Sequence, residues 1–167
     1  MVVTIDKEAE QAIVDRAFEG VPHIGLPTPG DYDRTDYVVS TADLTTFIVE
    51  VKDRDYTYKQ LVDWGGPLVD SGKAAAVAER AADQDGRGII VWRTNDGWLI
   101  GADVEDILVN GSEIPFKRER GNRSIDHQKM VYILEVGYCY VRPPGHLTNL
   151  QALDTMWVEW LAPSGPE

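Results

Sequence analysis

Two short apolar runs decide the fold, Asp-Tyr-Val-Val at residues 36–39 and Ile-Val-Glu-Val-Lys at residues 48–52. Both runs have strand-like composition, and a gap of hairpin length separates them. Because side chains alternate between the faces of a strand, Glu50 and Lys52 point to the same face. If the two runs pair as neighbours, Asp36 reaches the same edge. Two carboxylates and an ammonium group would then meet at the rim of an apolar sheet.

Two carboxylates and a lysine at one sheet edge have a definite chemistry. The carboxylates supply the oxygen ligands that a hard divalent cation such as Mg²⁺ takes, while the ion keeps some of its waters. The lysine would orient or deprotonate an attacking water, or offset the charge on a phosphate during transfer. The alternative is that Glu50 and Lys52 form a cross-strand surface pair with no catalytic role.

The order Asp36, a short gap and then Glu50-Val51-Lys52 resembles the PD-(D/E)xK nuclease superfamily. That superfamily includes restriction enzymes, Holliday-junction resolvases and virus-type replication-repair nucleases, and Thr35 stands where it usually carries a proline. The resemblance implies an α/β fold with a restriction-endonuclease-like core, in which helices flank a central mixed β-sheet. It also implies endonucleolytic hydrolysis of DNA phosphodiester bonds with Mg²⁺, or Mn²⁺ in its place. RNA stays open as a substrate because the chemistry is the same.

The resemblance assigns catalytic roles to Asp36, Glu50 and Lys52. Asp36 and Glu50 would hold the metal, and Lys52 would position the nucleophilic water. Asp31 and Asp33 are alternatives to Asp36. Asp36 is preferred because it leads directly into the strand run.

A third metal ligand is expected from the first helix, since a glutamate early in this helix completes the metal site of resolvase-like relatives. Residues 5–19 have the apolar spacing of a helix. Glu10 is the candidate ligand because it lies beside the core-facing residues, and Glu8 is its competitor. For each, the alternative is a surface acid that complements the helix dipole.

Gln60 lies eight positions after Lys52, and Trp64 and Gly72 follow it. Several PD-(D/E)xK families carry a glutamine on the helix after the lysine, and the virus-type nucleases show a similar order with longer spacing. Gln60 is therefore a candidate catalytic residue, with a surface helix position as the alternative. Trp64 is expected in the core rather than as a surface on which bases stack.

The net charge of -12 over 167 residues opposes nucleic-acid binding, because polyanions repel acidic proteins. Residues 110–129 are nevertheless basic and are expected to form a mobile loop. The residues expected to contact phosphates there are Lys117, Arg118, Arg120 and Arg123. The alternative for this stretch is a solvated loop. The alternative for the whole chain is a non-catalytic acidic interaction module that binds a protein partner or mimics DNA.

Periodicity and turn residues predict the remaining elements of a single domain over residues 1–162, with a disordered tail at 163–167. The predicted helices cover residues 5–19, 57–64, 67–84 and a stretch from residue 148 onward. The predicted strands cover residues 36–40, 45–52, 88–93, 98–100 and 130–142. A helical crossover should place the run 88–93 beside the catalytic strand. Residues 21–35, with three prolines, are expected to be loop.

Cysteine content and hydropathy indicate a cytoplasmic protein. The single cysteine, Cys139, rules out an internal disulfide and a cysteine-based metal cluster. No apolar run is long enough to span a membrane, so no membrane partner is expected. Trp157 and Trp160 on the last helix are expected in the core, or alternatively in a homodimer surface, since many nucleases of this type dimerise.

Overall fold

The computed structural model describes residues 7–29, 36–117, 128–147 and 149–162, and it has an α/β architecture with two β-sheets. The helices are α1 (Lys7–Ala17), α2 (Tyr58–Asp63), α3 (Ser71–Asp83), α4 (Val104–Asn110) and α5 (Gln151–Leu161). The strands are β1 (His23–Pro29), β2 (Asp36–Thr41), β3 (Thr46–Asp53), β4 (Leu68–Asp70), β5 (Arg87–Arg93), β6 (Leu99–Asp103), β7 (Ser112–Lys117), β8 (Gln128–Ile133) and β9 (Tyr140–Arg142).

The main sheet has six strands in the order β1-β2-β3-β5-β6-β9. β3 and β5 are parallel, and every other neighbouring pair in this sheet is antiparallel. The chain crosses from β3 to β5 through α2, β4 and α3, which is the helical crossover expected for the run 88–93. The predicted α/β class and mixed central sheet are therefore confirmed.

Helices cover both faces of the main sheet. One face packs on α1 and α5, through residues such as Ile13 and Trp157. The other face packs on α2, α3 and α4, through Leu61, Val77 and Ile107. Burial of these apolar side chains is the main favourable term for such a layered fold.

β3 separates its side chains between these two layers, as strand alternation requires. Val49 and Val51 pack with the core on the α1 side, whereas Ile48 packs with the core on the α3 side. The same alternation directs Glu50 and Lys52 to the α3 side. The strand therefore carries a glutamate and a lysine on a face that is otherwise covered by helices.

The expectation that residues 21–35 form a loop is wrong for β1, and residues 30–35 lie outside the described ranges. His23–Pro29 pairs antiparallel with β2, with a register irregularity between Ile24 and Thr28. β1 lies at the edge of the main sheet, where a proline costs no ladder hydrogen bond if its nitrogen faces outward. The prolines were therefore compatible with a strand at this position.

The second sheet, in the order β4-β8-β7, was missed by the sequence analysis. Leu68–Asp70 forms β4 rather than the first turn of a helix over 67–84, because Asp70 caps α3 and fixes its start at Ser71. Ser112–Lys117 forms β7, so the expected loop over 110–129 is wrong for these residues.

The two tryptophans of α5 lie in the core, as expected. Trp157 donates a hydrogen bond to the Ala17 carbonyl oxygen at 2.8 Å, and Trp160 donates one to Asp103 at 2.8 Å. They are buried within the chain, so a homodimer through α5 would need other residues and stays a prediction. The tail expected at 163–167 lies outside the described residues. Across the described ranges, no helix combines the length and apolarity needed to cross a bilayer.

Candidate active site

The hairpin of β2 and β3 brings the first and second predicted acids to the same position of the sheet. Asp36 is the direct cross-strand partner of Glu50. Directly paired residues of an antiparallel ladder have Cβ atoms roughly 4.5–5.5 Å apart. The side chain of Asp36 is outside the described part of the structure, as are Asp31 and Asp33, so the placement of Asp36 rests on backbone register.

Glu50 is the centre of the site. Its side chain is 0 % exposed, and two ammonium groups contact it. Lys52 Nζ lies 3.0 Å from Oε1, and Lys73 Nζ lies 3.4 Å from Oε2. The two lysine side chains are 21 % and 19 % exposed, so they connect the buried carboxylate to the surface. A charge at such depth requires partners of this kind, because desolvation of an unpaired carboxylate is costly.

Lys73 is held at the site by the start of α3. The Asp70 side chain accepts hydrogen bonds from the backbone nitrogens of Gly72 at 2.9 Å and Lys73 at 3.2 Å. This is the N-cap arrangement that satisfies the free amides of a first helical turn. Because the cap fixes the first turn, it also fixes the position from which the Lys73 side chain reaches Glu50.

Glu10 of α1 contacts Tyr37 on the α1 side of the sheet, the face opposite to Glu50 and Lys52. The Tyr37 hydroxyl donates a hydrogen bond to Glu10 Oε1 at 3.3 Å. Burial of Tyr37, the Glu10 charge and hydrogen bond, and the Glu50 charge together raise the pKa of Tyr37 to about 12. Both glutamates therefore act on one phenol. Glu10 is buried and Glu8 is exposed, so Glu10 is the one of the two that faces the core, and its role as a metal ligand stays a prediction.

The carboxylates present the hard oxygen donors that suit Mg²⁺ or Mn²⁺. Glu50 is such a donor on the α3 side of the sheet, and the backbone register places Asp36 next to it, whereas Glu10 is a donor on the α1 side beside Tyr37. Among the side chains that the structure describes, no group of three acidic, histidine or cysteine residues converges on one point. A site with three carboxylates would therefore need the side chain of Asp36.

Gln60 forms hydrogen bonds within the first turn of α2. Its Oε1 accepts a hydrogen bond from the Thr57 backbone nitrogen at 2.9 Å, and its own backbone nitrogen donates to Thr57 Oγ1 at 3.1 Å. This reciprocal pair is a capping box at the start of α2. Gln60 is exposed there, which agrees with the surface alternative, and its catalytic role stays a prediction.

Trp64 is 60 % exposed, so the expectation of a core position is wrong. It is the C-cap of the six-residue helix α2, and Gly65 and Gly66 follow it with positive φ angles. Its ring and the Tyr56 ring pack in a T-shaped arrangement, with centroids 5.2 Å apart. The short helix ends before Trp64 can turn toward the sheet.

The basic residues expected to contact phosphates are placed only in part. Lys117 is the last residue of β7, and only its backbone is described. Arg118, Arg120 and Arg123 lie outside the described residues. Their contact with phosphate stays a prediction.

Lys73 is the site residue that sequence reasoning missed, because α3 reads as an alanine-rich packing helix. A signal was present, since lysine in a first helical turn opposes the helix dipole. Lys73 is such a lysine, in a run of small residues directly after the Asp70 cap. Its partner Glu50 lies far away in sequence, and no local pattern predicts that contact.

No protein-family model, no curated protein and no solved structure matches the chain.

Proposed function

We propose that the protein is a metal-dependent nuclease that hydrolyses DNA phosphodiester bonds by the chemistry of the PD-(D/E)xK superfamily. The observation that carries the proposal is the contact of Lys52 with the fully buried Glu50, directly across from Asp36. Buried ion pairs contribute little to stability compared with apolar residues of similar size. A buried acid paired with a partly exposed lysine on an inner strand of an apolar sheet is therefore better explained by chemistry than by folding.

The order of elements supports the same proposal. The acid-bearing strands β2 and β3 belong to an antiparallel hairpin, and a helical crossover leads to the parallel strand β5. The helix α1 precedes this unit and would contribute Glu10. The resemblance implies a restriction-endonuclease-like core with these features, a mixed sheet flanked by helices. The finer likeness to that core is part of the proposal.

Asp36, Glu50 and Glu10 would hold the divalent ion. When bound, Mg²⁺ or Mn²⁺ would polarise the phosphate and acidify a water. The ammonium of Lys52 would orient the attacking water and offset negative charge on the phosphate. The water oxygen forms a bond to phosphorus while the bond from phosphorus to the leaving sugar oxygen breaks. That oxygen takes up a proton, and the products are a phosphomonoester and a free hydroxyl.

The acidity of the chain supports one rival function. A net charge of -12 suits an acidic interaction module that binds a protein partner or mimics DNA. This rival gives no reason for a lysine to contact a buried glutamate inside the sheet layer. RNA as the substrate is a variant of the nuclease proposal, since the same groups would act on it.

Calorimetry with Mn²⁺, followed by nicking of supercoiled plasmid and branched DNA, separates the two functions. We expect the parent to bind Mn²⁺, to nick DNA with Mg²⁺ and to be inactive with EDTA. Lys52→Met and Glu50→Gln should each lower the nicking rate by at least about 100-fold. Lys59→Met is the matched control, because Lys59 is exposed on α2. A parent that binds neither metal nor DNA but captures a protein partner tightly would favour the interaction module.

A further inference from the structure

We propose that Lys73 is a second functional cation of the site, which competes with the divalent ion for Glu50 Oε2 and then contacts the substrate phosphate. This inference rests on the proposed nuclease function and names a residue that the resemblance does not supply. One carboxylate contacts two lysines that come from different elements, β3 and α3.

Both oxygens of the Glu50 carboxylate face ammonium groups. Lys52 contacts Oε1 at 3.0 Å, and Lys73 contacts Oε2 at 3.4 Å. A metal ion bound to Oε2 at roughly 2.1 Å would lie no more than about 5.5 Å from Lys73 Nζ, as the sum of these two distances requires. Repulsion between a divalent and a monovalent cation at that separation is substantial near a protein surface. The Lys73 ammonium therefore weakens metal binding or moves away from Oε2.

The position of Lys73 opposes the electrostatics of its own helix. A cation in the first turn of α3 lies near the positive end of the helix dipole and is repelled by it. An acid at the same position would stabilise the helix instead. Asp70 offsets part of this charge through the N-cap. Lysine at this position is thus explained by its contact with Glu50 rather than by helix stability.

Lys73 has the reach and the exposure to serve a phosphate. Its side chain is partly exposed at the surface above Glu50, whereas Glu50 itself is buried. An ammonium on a flexible four-carbon stem binds phosphate oxygens as a point charge. Once Oε2 is taken by the metal, the displaced ammonium would be available to a phosphate oxygen of DNA. Lys73 is then a positioning residue for the substrate, distinct from the water-orienting Lys52.

Calorimetric titration of the full chain with Mn²⁺ tests the inference, with nicking kinetics measured on the same samples. Lys73→Met should bind Mn²⁺ more tightly by about fivefold, because a repelling charge is removed. The same variant should nick DNA with a raised KM. Lys73→Arg keeps the charge and should retain the parent's Mn²⁺ affinity. Lys59→Met should match the parent in both measurements.

Two results would overturn the inference, and they are distinguishable. If the parent binds Mn²⁺ and nicks DNA, but Lys73→Met binds Mn²⁺ equally or more weakly, then Lys73 does not compete with the metal and only this inference fails. If the parent neither binds Mn²⁺ nor nicks DNA, the proposed function fails and the inference fails with it. Should Lys73→Met not fold by circular dichroism, Lys73→Gln carries the same test, since it removes the same charge.

Discussion

Asp36 and Glu50 are direct partners across the antiparallel pair of β2 and β3. Their register is set by apolar neighbours, because the buried pairs Tyr37 with Val49 and Val39 with Phe47 lie on the same two strands. A slip by one residue would turn every one of these side chains to the other face. The packing of the core therefore determines where the two acids meet.

The ion pairs of Glu50 should couple energetically. Lys52→Met leaves the buried carboxylate with fewer partners, so the free energy of unfolding should fall by about 1–3 kcal/mol. Urea denaturation of the parent, Lys52→Met, Glu50→Gln and the double variant gives the coupling between the two residues. We expect a coupling of at least about 1 kcal/mol. Strictly additive effects would show that the contact at 3.0 Å contributes nothing.

Tyr37 should make stability depend on pH in the alkaline range. Its pKa is raised from 10.0 to about 12 in the folded protein, first by burial and then by Glu10 and Glu50. As pH rises between these values, the unfolded chain releases the phenol proton before the folded protein does, so stability falls. The stability of the parent relative to Tyr37→Phe should therefore decrease from pH 9 to pH 11 in urea denaturation, by roughly 1 kcal/mol. A constant difference would contradict the raised pKa.

Substitution of the buried Arg142 should destabilise the fold strongly. Its side chain is 3 % exposed, and it contacts Asp154 at 2.7 Å. It also donates hydrogen bonds to the backbone carbonyl oxygens of Arg16 at 2.9 Å and Glu19 at 2.8 Å, so it ties the end of α1 to α5. Arg142→Met should lower the free energy of unfolding by about 3–5 kcal/mol.

The control for Arg142 is Arg93→Met, which removes an exposed pair with Asp53 at 2.8 Å. That change should cost less than about 1 kcal/mol, because water screens the pair. Equal losses for the two arginine variants, measured by thermal melting, would contradict the burial argument.

Truncation of Trp157 should lower the free energy of unfolding far more than truncation of Trp64. Trp64→Ala removes an exposed ring and should change the free energy of unfolding by less than about 1 kcal/mol. Trp157→Ala empties a buried position between α1 and the sheet and should cost about 3–5 kcal/mol. Chemical denaturation of both variants checks this. A large loss for Trp64→Ala would place that residue in the core after all.

The strand hairpin was predictable from the sequence because its signal is local. Alternation along residues 46–53 separates apolar side chains between two helix layers and sends Glu50 and Lys52 to one face. The β1 strand was missed because prolines argue against a strand unless its edge position is known. The strand β4 has three residues, too few for a periodic pattern.

The contact of Lys73 with Glu50 was beyond sequence reasoning for a different reason. It joins the first turn of α3 to the middle of β3, and only the tertiary arrangement brings them together. The position of Glu10 could be predicted from the sequence only in part. Helical spacing placed it beside the core face of α1, but its contact with Tyr37 depends on how α1 packs on the sheet.

Paramagnetic broadening by Mn²⁺ shows residue by residue whether Asp36, Glu50 and Glu10 hold one divalent ion, as we propose. In a ¹⁵N-labelled sample, substoichiometric Mn²⁺ should first remove the amide signals of these three residues and of Lys52, while signals from α5 persist. Loss of signals centred instead on the acidic start of α4 near Glu105, or no selective loss at equimolar Mn²⁺, would contradict the claim.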